Sequence, residues 1–514
     1  MKLIRKMWIL FLMVPLIFLQ LGCKKFLDRK PLGQAADGDV TQGGVESKVF
    51  GLYASLQNWG MTQLPFLTIH AARADDNVNS TLPDGGDQQD VVDKFLYAKD
   101  HWSINALWTD HLAFIIQASG IIHDVDSAFA NDPPSQINKA EASFLRAYAY
   151  FDMVRDYGEV PIIDFKVYQA SDANVEKKPV DQVYALIDSD LDFAEQYLPD
   201  SWESKFLGRL TKGAAKTLHA KAYLYRQNWV QAMAKTDEVI ASGKYALYPD
   251  YAKLFSEAAE NSSESVFEIQ NYVSVNGAVT SSNHLNDYQG LRGDGEWDLG
   301  WGWNLPSLGL VDTVYEAGDP RKTATIMYSG KPDSLYGAVL PPFAGFSANT
   351  NNWPFWNKKV YSDPGRRSST GNRKGVWLNT KILRYADVLL MNAEAANEIG
   401  GAANIQKALD NLELVRARAR TSLPSYPAPA GTLPEITTTD QDELRTAIKN
   451  ERRVEFALEF ERFYDLVRWI PATDGIDAIH VLGPLGYTPK NKYYPIPQPE
   501  VDRSNGVLDQ NPDY

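Results

Sequence analysis

Apolar residues recur every three or four positions along most of this 514-residue chain, a spacing typical of amphipathic α-helices. The pattern predicts four helical regions, over residues 40–60, 104–250, 380–420 and 438–470. Short connections and small alanine side chains let consecutive helices approach closely, so we expect antiparallel helix pairs of the tetratricopeptide kind. The predicted fold class is therefore mainly α, a helix-pair scaffold that carries long irregular loops and a few short strands.

The segment Asn450–Trp469 is predicted to be one continuous helix. Four large apolar residues share one of its faces: Phe456, Phe460, Phe463 and Val467. Further apolar residues lie on the opposite side, as expected for a helix wedged between neighbours. On a flank between them, Glu455, Glu459 and Arg462 have the spacing of mutual ion pairs. We interpret the segment as an ion-paired core helix, because a catalytic glutamate pair would need a cleft open to solvent.

Helical periodicity fades over residues 261–378, where glycine, proline, asparagine and tryptophan are frequent. Flat aromatic side chains there are candidates for stacking against the C–H faces of sugars. These candidates are Tyr288, Trp297, Trp301, Trp303, Trp353 and Trp356. Asp294 and Glu296 are candidate hydrogen-bond partners for sugar hydroxyls. The alternative is that the tryptophans anchor long loops onto the helical body, because burying a large ring is strongly stabilising.

A second loop, residues 75–90, is rich in carboxylate and amide oxygens and begins with Asp75 and Asp76. Such ligands suit calcium, although the spacing of an EF-hand is missing. The loop has three open interpretations: a solvated loop, a ligand-contacting loop that includes both aspartates, or a calcium site.

The first residues have the pattern of a secretory signal. Three basic residues precede the apolar run Met7–Leu19, which is shorter than a membrane-spanning helix requires. Gly22 and then Cys23 follow, as in a bacterial lipobox, so residues 1–22 are predicted to be a lipoprotein signal peptide. Acyl chains on Cys23 would anchor the mature chain to a membrane. An ordinary signal peptide with an incidental cysteine is the alternative.

The net charge of −14 argues against a nucleic-acid partner, because binding phosphates requires a basic surface. Common signatures of hydrolases and nucleotide-binding enzymes are missing, and the single cysteine lies at the leader. A glycoside hydrolase remains open, since the separation of two carboxylates is not readable from sequence. We expect no cofactor, and we interpret His219, within an apolar helix, as a core histidine rather than a metal ligand.

Five sequence blocks stand out in order along the chain: CKKFLD at 23–28, AEASFLRAYAYF at 140–151, RYADVLLMNAEA at 384–395, NERRVEFALEFERFYDLVRW at 450–469 and YPIP at 494–497. In sequence and order these blocks resemble the SusD/RagB family of surface nutrient-binding lipoproteins. The resemblance implies one domain over residues 23–514, anchored in the cell outer membrane by lipid on Cys23 and facing the cell exterior.

The resemblance also implies a function. Such a protein captures oligosaccharides without cleaving them and passes them to its partner, a TonB-dependent transporter barrel. Peptide capture is the alternative within the same family. A surface glycoside hydrolase and a purely structural docking repeat are alternatives from other classes, and the aromatic loops favour ligand binding over the latter.

Overall fold

The computed structural model of the protein describes residues 44–78, 86–275, 277, 280–293, 295–333, 335–341, 353–421 and 428–514. Helices predominate in this part of the chain and the strands are short, so the predicted mainly α fold class is confirmed. No helix within these ranges is long and apolar enough to cross a membrane.

Nine α-helices are described before residue 250. In chain order they are α1 Val45–Ser55, α2 Trp59–Thr62, α3 Leu64–Ala71, α4 Gly86–Asp93, α5 Trp102–Ala128, α6 Pro133–Tyr157, α7 Val180–Tyr197, α8 Lys212–Tyr225 and α9 Trp229–Ala241. The remaining described helices are α10 Leu285–Gln289, α11 Pro320–Thr325, α12 Pro364–Thr370, α13 Tyr385–Ile399, α14 Ala402–Arg420, α15 Gln441–Glu455, α16 Arg462–Arg468, α17 Ala478–Leu482 and α18 Gln498–Arg503.

Capping residues explain where several of these helices begin. The Asp132 carboxylate accepts a hydrogen bond from the backbone N–H of Ser135 (3.1 Å), and Pro133 occupies the first turn of α6. The Thr211 hydroxyl accepts from the backbone N–H of Ala214 (3.2 Å) at the start of α8. Both caps satisfy N–H groups that have no partner within the helix.

The long helices pack side by side. From α5 to α9 each packs on the next, and α9 then packs on α13, which pairs with α14 and α15. Gly400 and Gly401 connect α13 to α14 with φ angles of 73° and 84°, a region that favours glycine. The segment 242–384 is therefore an insertion between two adjacent helix pairs, and the loop-rich region predicted at 261–378 lies within it.

Ten short strands accompany the helices in the described ranges. They are β1 Asn77–Val78, β2 Val160–Pro161, β3 Lys177–Lys178, β4 Ser265–Ile269, β5 Tyr272–Val273, β6 Thr280–Ser281, β7 Leu305–Pro306, β8 Ile326–Tyr328, β9 Phe355–Asn357 and β10 Thr380–Arg384. They form antiparallel pairs, β1 with β7, β2 with β3, β4 with β10, β5 with β6 and β8 with β9. The β4–β10 pair brings the two ends of the insertion together.

The insertion has a small hydrophobic core of its own, separate from the core of the helix pairs. Its buried residues are Leu291, Trp297, Leu299, Leu305, Met327, Leu340, Trp356 and Tyr361. The main core is larger and extends through the helical body. The insertion is thus packed around its own apolar side chains and fixed to the body at β4 and β10.

The prediction of one continuous helix over residues 450–469 is wrong. Helix α15 ends at Glu455 and α16 begins at Arg462. Between them, Leu458 and Phe460 have φ angles of 65° and 69°, in the left-handed region where a Cβ atom is disfavoured. The phenylalanines therefore do not share one helical face.

Contacts with distant segments hold this break in place. The Phe460 ring packs edge-on against Phe66, with 5.3 Å between ring centres. The carbonyl oxygen of Glu455 accepts hydrogen bonds from Tyr251 Oη (2.8 Å) and from Arg384 Nη2 (2.9 Å). It also accepts from Lys359 Nζ at 3.2 Å. These donors take the place of the backbone N–H that a continuous helix would supply.

The predicted mutual pairing of Glu455, Glu459 and Arg462 is also wrong. Glu455 and Glu459 both bind Arg384, at 2.7 Å each, and Arg462 Nε donates to Asp75 at 2.8 Å. All of these charges are nevertheless ion-paired and largely buried, which agrees with interpreting the segment as a structural core rather than a catalytic cleft.

Candidate functional site

Five aromatic side chains form a continuous strip, the aromatic strip, in the order Trp102, Trp59, Tyr288, Trp303 and Trp301. Neighbouring ring centres along the strip are 6.1, 6.3, 5.9 and 6.0 Å apart. Trp59 and Trp301 are 42% and 40% exposed, while Trp102 and Tyr288 are half-buried. Trp303 is buried and lies almost parallel to Tyr288, at 11°, so it supports the ring above it.

A close helix crossing brings the first two rings together. Trp59 and Trp102 are the first residues of α2 and α5. At Gly60 the two helices touch, since a Cβ atom there would lie 2.0 Å from the carbonyl oxygen of Ala106. The Gly60 N–H also donates to Asp110 Oδ2 at 2.6 Å. Glycine at this position therefore allows the approach that stacks Trp59 on Trp102.

Backbone hydrogen bonds fix the other end of the strip. The N–H of Trp301 donates to the carbonyl of Asp287 (2.9 Å), and that of Trp303 donates to the carbonyl of Tyr288 (3.0 Å). Between the two segments, a Cβ atom on Gly300 would lie 2.2 Å from the Asp287 oxygen, so only glycine fits. The loop with Trp301 and Trp303 is thus attached directly to α10, which carries Tyr288.

Polar and charged groups surround the exposed rings. Lys374 Nζ lies 5.3 Å from the centre of the Trp301 ring and 3.1 Å from Asp287 Oδ1. The Arg292 guanidinium is 5.7 Å from the same ring. Tyr288 Oη donates to Gln63 Oε1 at 3.4 Å. Burial and the nearby Asp287 carboxylate raise the pKa of Tyr288 to about 12, so its hydroxyl stays protonated at neutral pH.

This arrangement suits a ligand with flat, weakly polar faces and polar edges. Exposed rings held by backbone contacts lose little side-chain freedom when a ligand stacks on them. Hydroxyl, ammonium and carboxylate groups beside the rings can then orient the ligand through hydrogen bonds.

Only part of the predicted aromatic set lies in the strip. The structure brings Tyr288, Trp301 and Trp303 together there. Trp297 and Trp356 are instead buried in the core of the insertion, so they have the anchoring role that the sequence left as the alternative. Trp353 packs partly buried against that core, and its Nε1 donates to the carbonyl of Pro306 at 2.9 Å.

Asp75 and Asp76 bind arginines of the broken segment. Asp75 accepts from Arg462 Nε (2.8 Å) and Arg453 Nη2 (2.6 Å), and Asp76 accepts from Arg453 Nε (2.8 Å). Burial opposes the charge of Asp75, but Arg462 and Arg453 outweigh it and lower the pKa of that carboxyl. Burial dominates at Asp76 and raises its pKa. Two guanidinium groups thus bind the first two carboxylates of the oxygen-rich loop, whose residues 79–85 lie outside the described residues.

The remaining predicted site residues either are not part of the strip or fall outside the residues that the structure describes. Glu296 is exposed and lies beside a depression next to the strip. Asp294 and Cys23 are outside the described residues.

Sequence reasoning missed Trp59 and Trp102. The predicted helical region 40–60 includes Trp59 only near its end, and the next region begins at residue 104, after Trp102, so the prediction assigns neither tryptophan to a ligand. A usable signal was present, because each tryptophan stands at a helix end next to polar residues rather than within the apolar repeat. The contacts of Trp59 with Tyr288 and with Trp102 depend on tertiary packing.

His219 lies among several charged groups and is the one described position where a metal could be considered, together with Asp192 and Glu195. Its Nδ1 is 2.7 Å from Glu195 and its Nε2 is 3.3 Å from Asp188. Lys235 also binds Glu195, at 2.5 Å, and so supplies positive charge where a metal would lie. The buried ring therefore has the partners expected of a core histidine.

The fold and the strip define a class of protein, a helix-pair body with an exposed aromatic surface at the edge of an inserted loop region. The chain belongs to the SusD family. The model of the SusD family matches residues 263–514, and a second family model, described as starch-binding associating with outer membrane, matches residues 25–224.

Individual relatives agree over nearly the whole chain. SusD-like protein P2 of Formosa agariphila is 30% identical, with 98% of each chain covered. A crystal structure of a SusD-like protein from Bacteroides fragilis has a TM-score of 0.74 at 22% identity, covering 94% of this chain and 100% of the other. A structure titled laminarin binding SusD-like protein has a TM-score of 0.71 at 26% identity, covering 91% and 99%.

Proposed function

We propose that this protein is a non-catalytic cell-surface protein that captures oligosaccharides and delivers them to a TonB-dependent outer-membrane transporter. The observation that carries the binding function is the aromatic strip from Trp102 to Trp301, with two exposed tryptophans and hydrogen-bonding groups beside them. Pyranose rings present C–H faces that stack on indole and hydroxyls that bond to the polar neighbours.

The comparisons support a glycan as the ligand. A structurally similar protein, 26% identical, is described as laminarin binding, and the family model that matches residues 25–224 is described as starch-binding. That description also associates the family with the outer membrane, which supports attachment to that membrane. In our proposal a lipid on Cys23 provides the attachment and the protein faces the cell exterior.

Ligand binding is tested by calorimetry with oligosaccharides selected on a glycan array. Trp59→Ala and Trp301→Ala are each expected to weaken binding about tenfold or more, because losing one well-buried aromatic contact costs on the order of 1.5–3 kcal/mol. Tyr168→Ala is the matched control, since Tyr168 is 76% exposed and is not part of the strip.

Two further readouts separate the alternatives. Chromatography of the incubated oligosaccharide is expected to show no shortened product, and product formation would contradict a non-catalytic role. Binding of peptides with no binding of any glycan would favour the peptide-capturing alternative.

The anchor is tested separately by fractionation. The wild-type chain is expected in the outer-membrane fraction and Cys23→Ser in the soluble fraction, because the substitution removes the acylated thiol. Retention of Cys23→Ser in the membrane would refute the anchor. Co-purification of the wild-type chain with a TonB-dependent barrel tests the transporter partnership.

A further inference from the structure

Buried arginines in the described part of this chain follow a consistent pattern. Each forms an ion pair with at least one carboxylate, with a single exception. Arg146 with Asp190, at 2.7 Å, is an example. The pattern has a physical reason, because a buried guanidinium without an opposite charge is costly.

Arg367, in α12, is the exception. Arg367 is buried, with 8% of its surface exposed. No carboxylate among the described residues forms an ion pair with its guanidinium group. Its Nη1 donates to the carbonyl oxygen of Ser362 at 2.7 Å and to Ser362 Oγ at 3.3 Å. The guanidinium carbon lies 5.1 Å from the centre of the Tyr361 ring. The buried guanidinium thus has neutral hydrogen-bond partners in place of the carboxylate that pairs with the other buried arginines.

Arg367 lines an open depression of about 550 Å³. Arg373 and Ser368 contribute further hydrogen-bond donors to the wall, and the Trp297 side chain contributes an apolar surface. Glu296 is the one acidic residue among the described lining residues, and it is exposed. The depression therefore combines two guanidinium groups with an aromatic wall, a combination that suits an anionic group on a partly apolar ligand.

The depression adjoins the aromatic strip. Arg373 lines the depression, and the next residue, Lys374, lies over the ring of Trp301. Arg373 Nη2 is also 3.5 Å from Asp298, three positions before Trp301. The depression and the exposed Trp301 ring are therefore linked through Arg373 and Lys374, which are adjacent in the chain.

We propose that this depression is an anion-recognising subsite and that the captured oligosaccharide carries a carboxylate or a sulfate. The inference rests on the proposed function and specifies the class of glycan. The guanidinium groups of Arg367 and Arg373 bind the oxyanion, Ser368 donates a further hydrogen bond, and the strip stacks the neighbouring sugar rings. Partial burial strengthens the Arg367 contact because the surrounding dielectric is low.

The test uses an array with neutral glucans and galactans beside uronate-containing and sulfated oligosaccharides, followed by calorimetry on the strongest ligand and its uncharged counterpart. The acidic glycans are expected to bind more tightly than neutral ones. A preference for one of the two acidic sets identifies the anion as carboxylate or sulfate and supports the proposal.

Three variants assign any acid preference to the depression. Arg367→Gln is expected to weaken binding of the acidic ligand about tenfold to a hundredfold, as for loss of a charged hydrogen bond, with binding of the neutral counterpart changed less than about twofold. Arg373→Gln, at a side chain that is 51% exposed, provides the same test without a buried substitution. Glu296→Gln removes a like charge and is expected to strengthen binding of the acidic ligand.

The failures are distinguishable. If neutral glycans bind as tightly as acidic ones, the inference is overturned while oligosaccharide capture stands. If an acid preference survives both arginine variants, the depression is not its origin and the proposal is again overturned. If no glycan on the array binds, the proposed function fails and this inference fails with it.

Discussion

Glu455 Oε1 lies 2.7 Å from Nη1 of Arg384, an ion pair that joins the last residue of α15 to the last residue of β10. The same carboxylate accepts hydrogen bonds from Arg418 Nη2 (2.5 Å) and Arg321 Nη1 (3.2 Å). Burial opposes its charge, but the three guanidinium groups outweigh burial and hold the pKa of Glu455 far below its usual value. One carboxylate thus connects α11, β10, α14 and α15.

Replacing Glu455 with glutamine is expected to destabilise the fold strongly. The substitution keeps the size of the side chain but leaves three buried guanidinium groups short of negative charge. Breaking such a buried ion pair costs about 3–5 kcal/mol. Thermal unfolding followed by circular dichroism is expected to show a clearly lower midpoint for Glu455→Gln.

The control for this variant is Glu238→Gln. Glu238 binds Lys216 at 2.5 Å, but its side chain is 49% exposed, and an exposed pair contributes at most about 1 kcal/mol. Equal midpoints for Glu455→Gln and the wild-type chain would show that the buried network is not stabilising.

The helix pairs were predictable from sequence because their residues contact neighbours close in the chain. The turn at Gly400 and Gly401 and the period of apolar residues are local signals. The break after Glu455 was not predictable in this way. Leu458 and Phe460 carry no local signal for a left-handed conformation, and contacts with distant residues such as Phe66 hold them there.

In the candidate site, too, some features follow from local sequence and others from contacts between distant residues. Trp301 and Trp303 were predicted because aromatic residues in a glycine-rich loop stand out in the sequence. Trp59 and Trp102 join them only because Gly60 allows α2 to touch α5. Trp297 has the same sequence context as Trp301 but is buried, so exposure was the property that composition did not supply.

His219 is expected to make stability depend on pH. Burial lowers its pKa, but the carboxylates of Asp188 and Glu195 outweigh burial and raise it, despite the opposing charge of Lys235. A raised folded-state pKa stabilises the fold fully below the unfolded value of about 6.5. That stabilisation is lost as the pH rises through the folded-state pKa.

Urea unfolding of the wild-type chain and His219→Gln between pH 5 and pH 9 tests this dependence. The stability difference between them is expected to be largest at the acidic end and to shrink as the pH rises. His123→Gln, at an exposed histidine, serves as the control. A difference that stays constant with pH would refute the role assigned to His219.

Glu260 is expected to make the fold less stable as the pH rises, whereas an ion-paired carboxylate makes it more stable. Burial, together with the charges of Glu268 and Glu257, raises its pKa to about 8, although the N–H of Asn379 donates to its Oε1 at 2.9 Å. The folded chain therefore holds this proton longer than the unfolded chain, and stability falls between about pH 4.5 and pH 8.

Glu260→Gln keeps an oxygen for the Asn379 N–H and removes the titration. The free energy of unfolding of the variant, relative to that of the wild-type chain, is expected to rise by about 1–3 kcal/mol between pH 5 and pH 8.5. The rise is smaller than the full pKa shift would give, because the Glu260 carboxyl is partly exposed to solvent. Urea unfolding at the two pH values measures the gain. No gain, or a larger advantage at pH 5, would contradict the prediction.

Replacing Trp301 and replacing Trp303 are expected to affect stability and glycan affinity differently. Trp303 is 7% exposed, packs with Phe66 and Leu285 and supports the ring of Tyr288, so Trp303→Ala leaves a cavity that costs about 3–5 kcal/mol. It should lower both the unfolding midpoint and glycan affinity. Trp301 is 40% exposed, so Trp301→Ala should weaken binding with little change in stability. Paired thermal unfolding and calorimetry measure both effects, and an equal loss of stability in the two variants would show that Trp301 is a structural residue rather than a ligand contact.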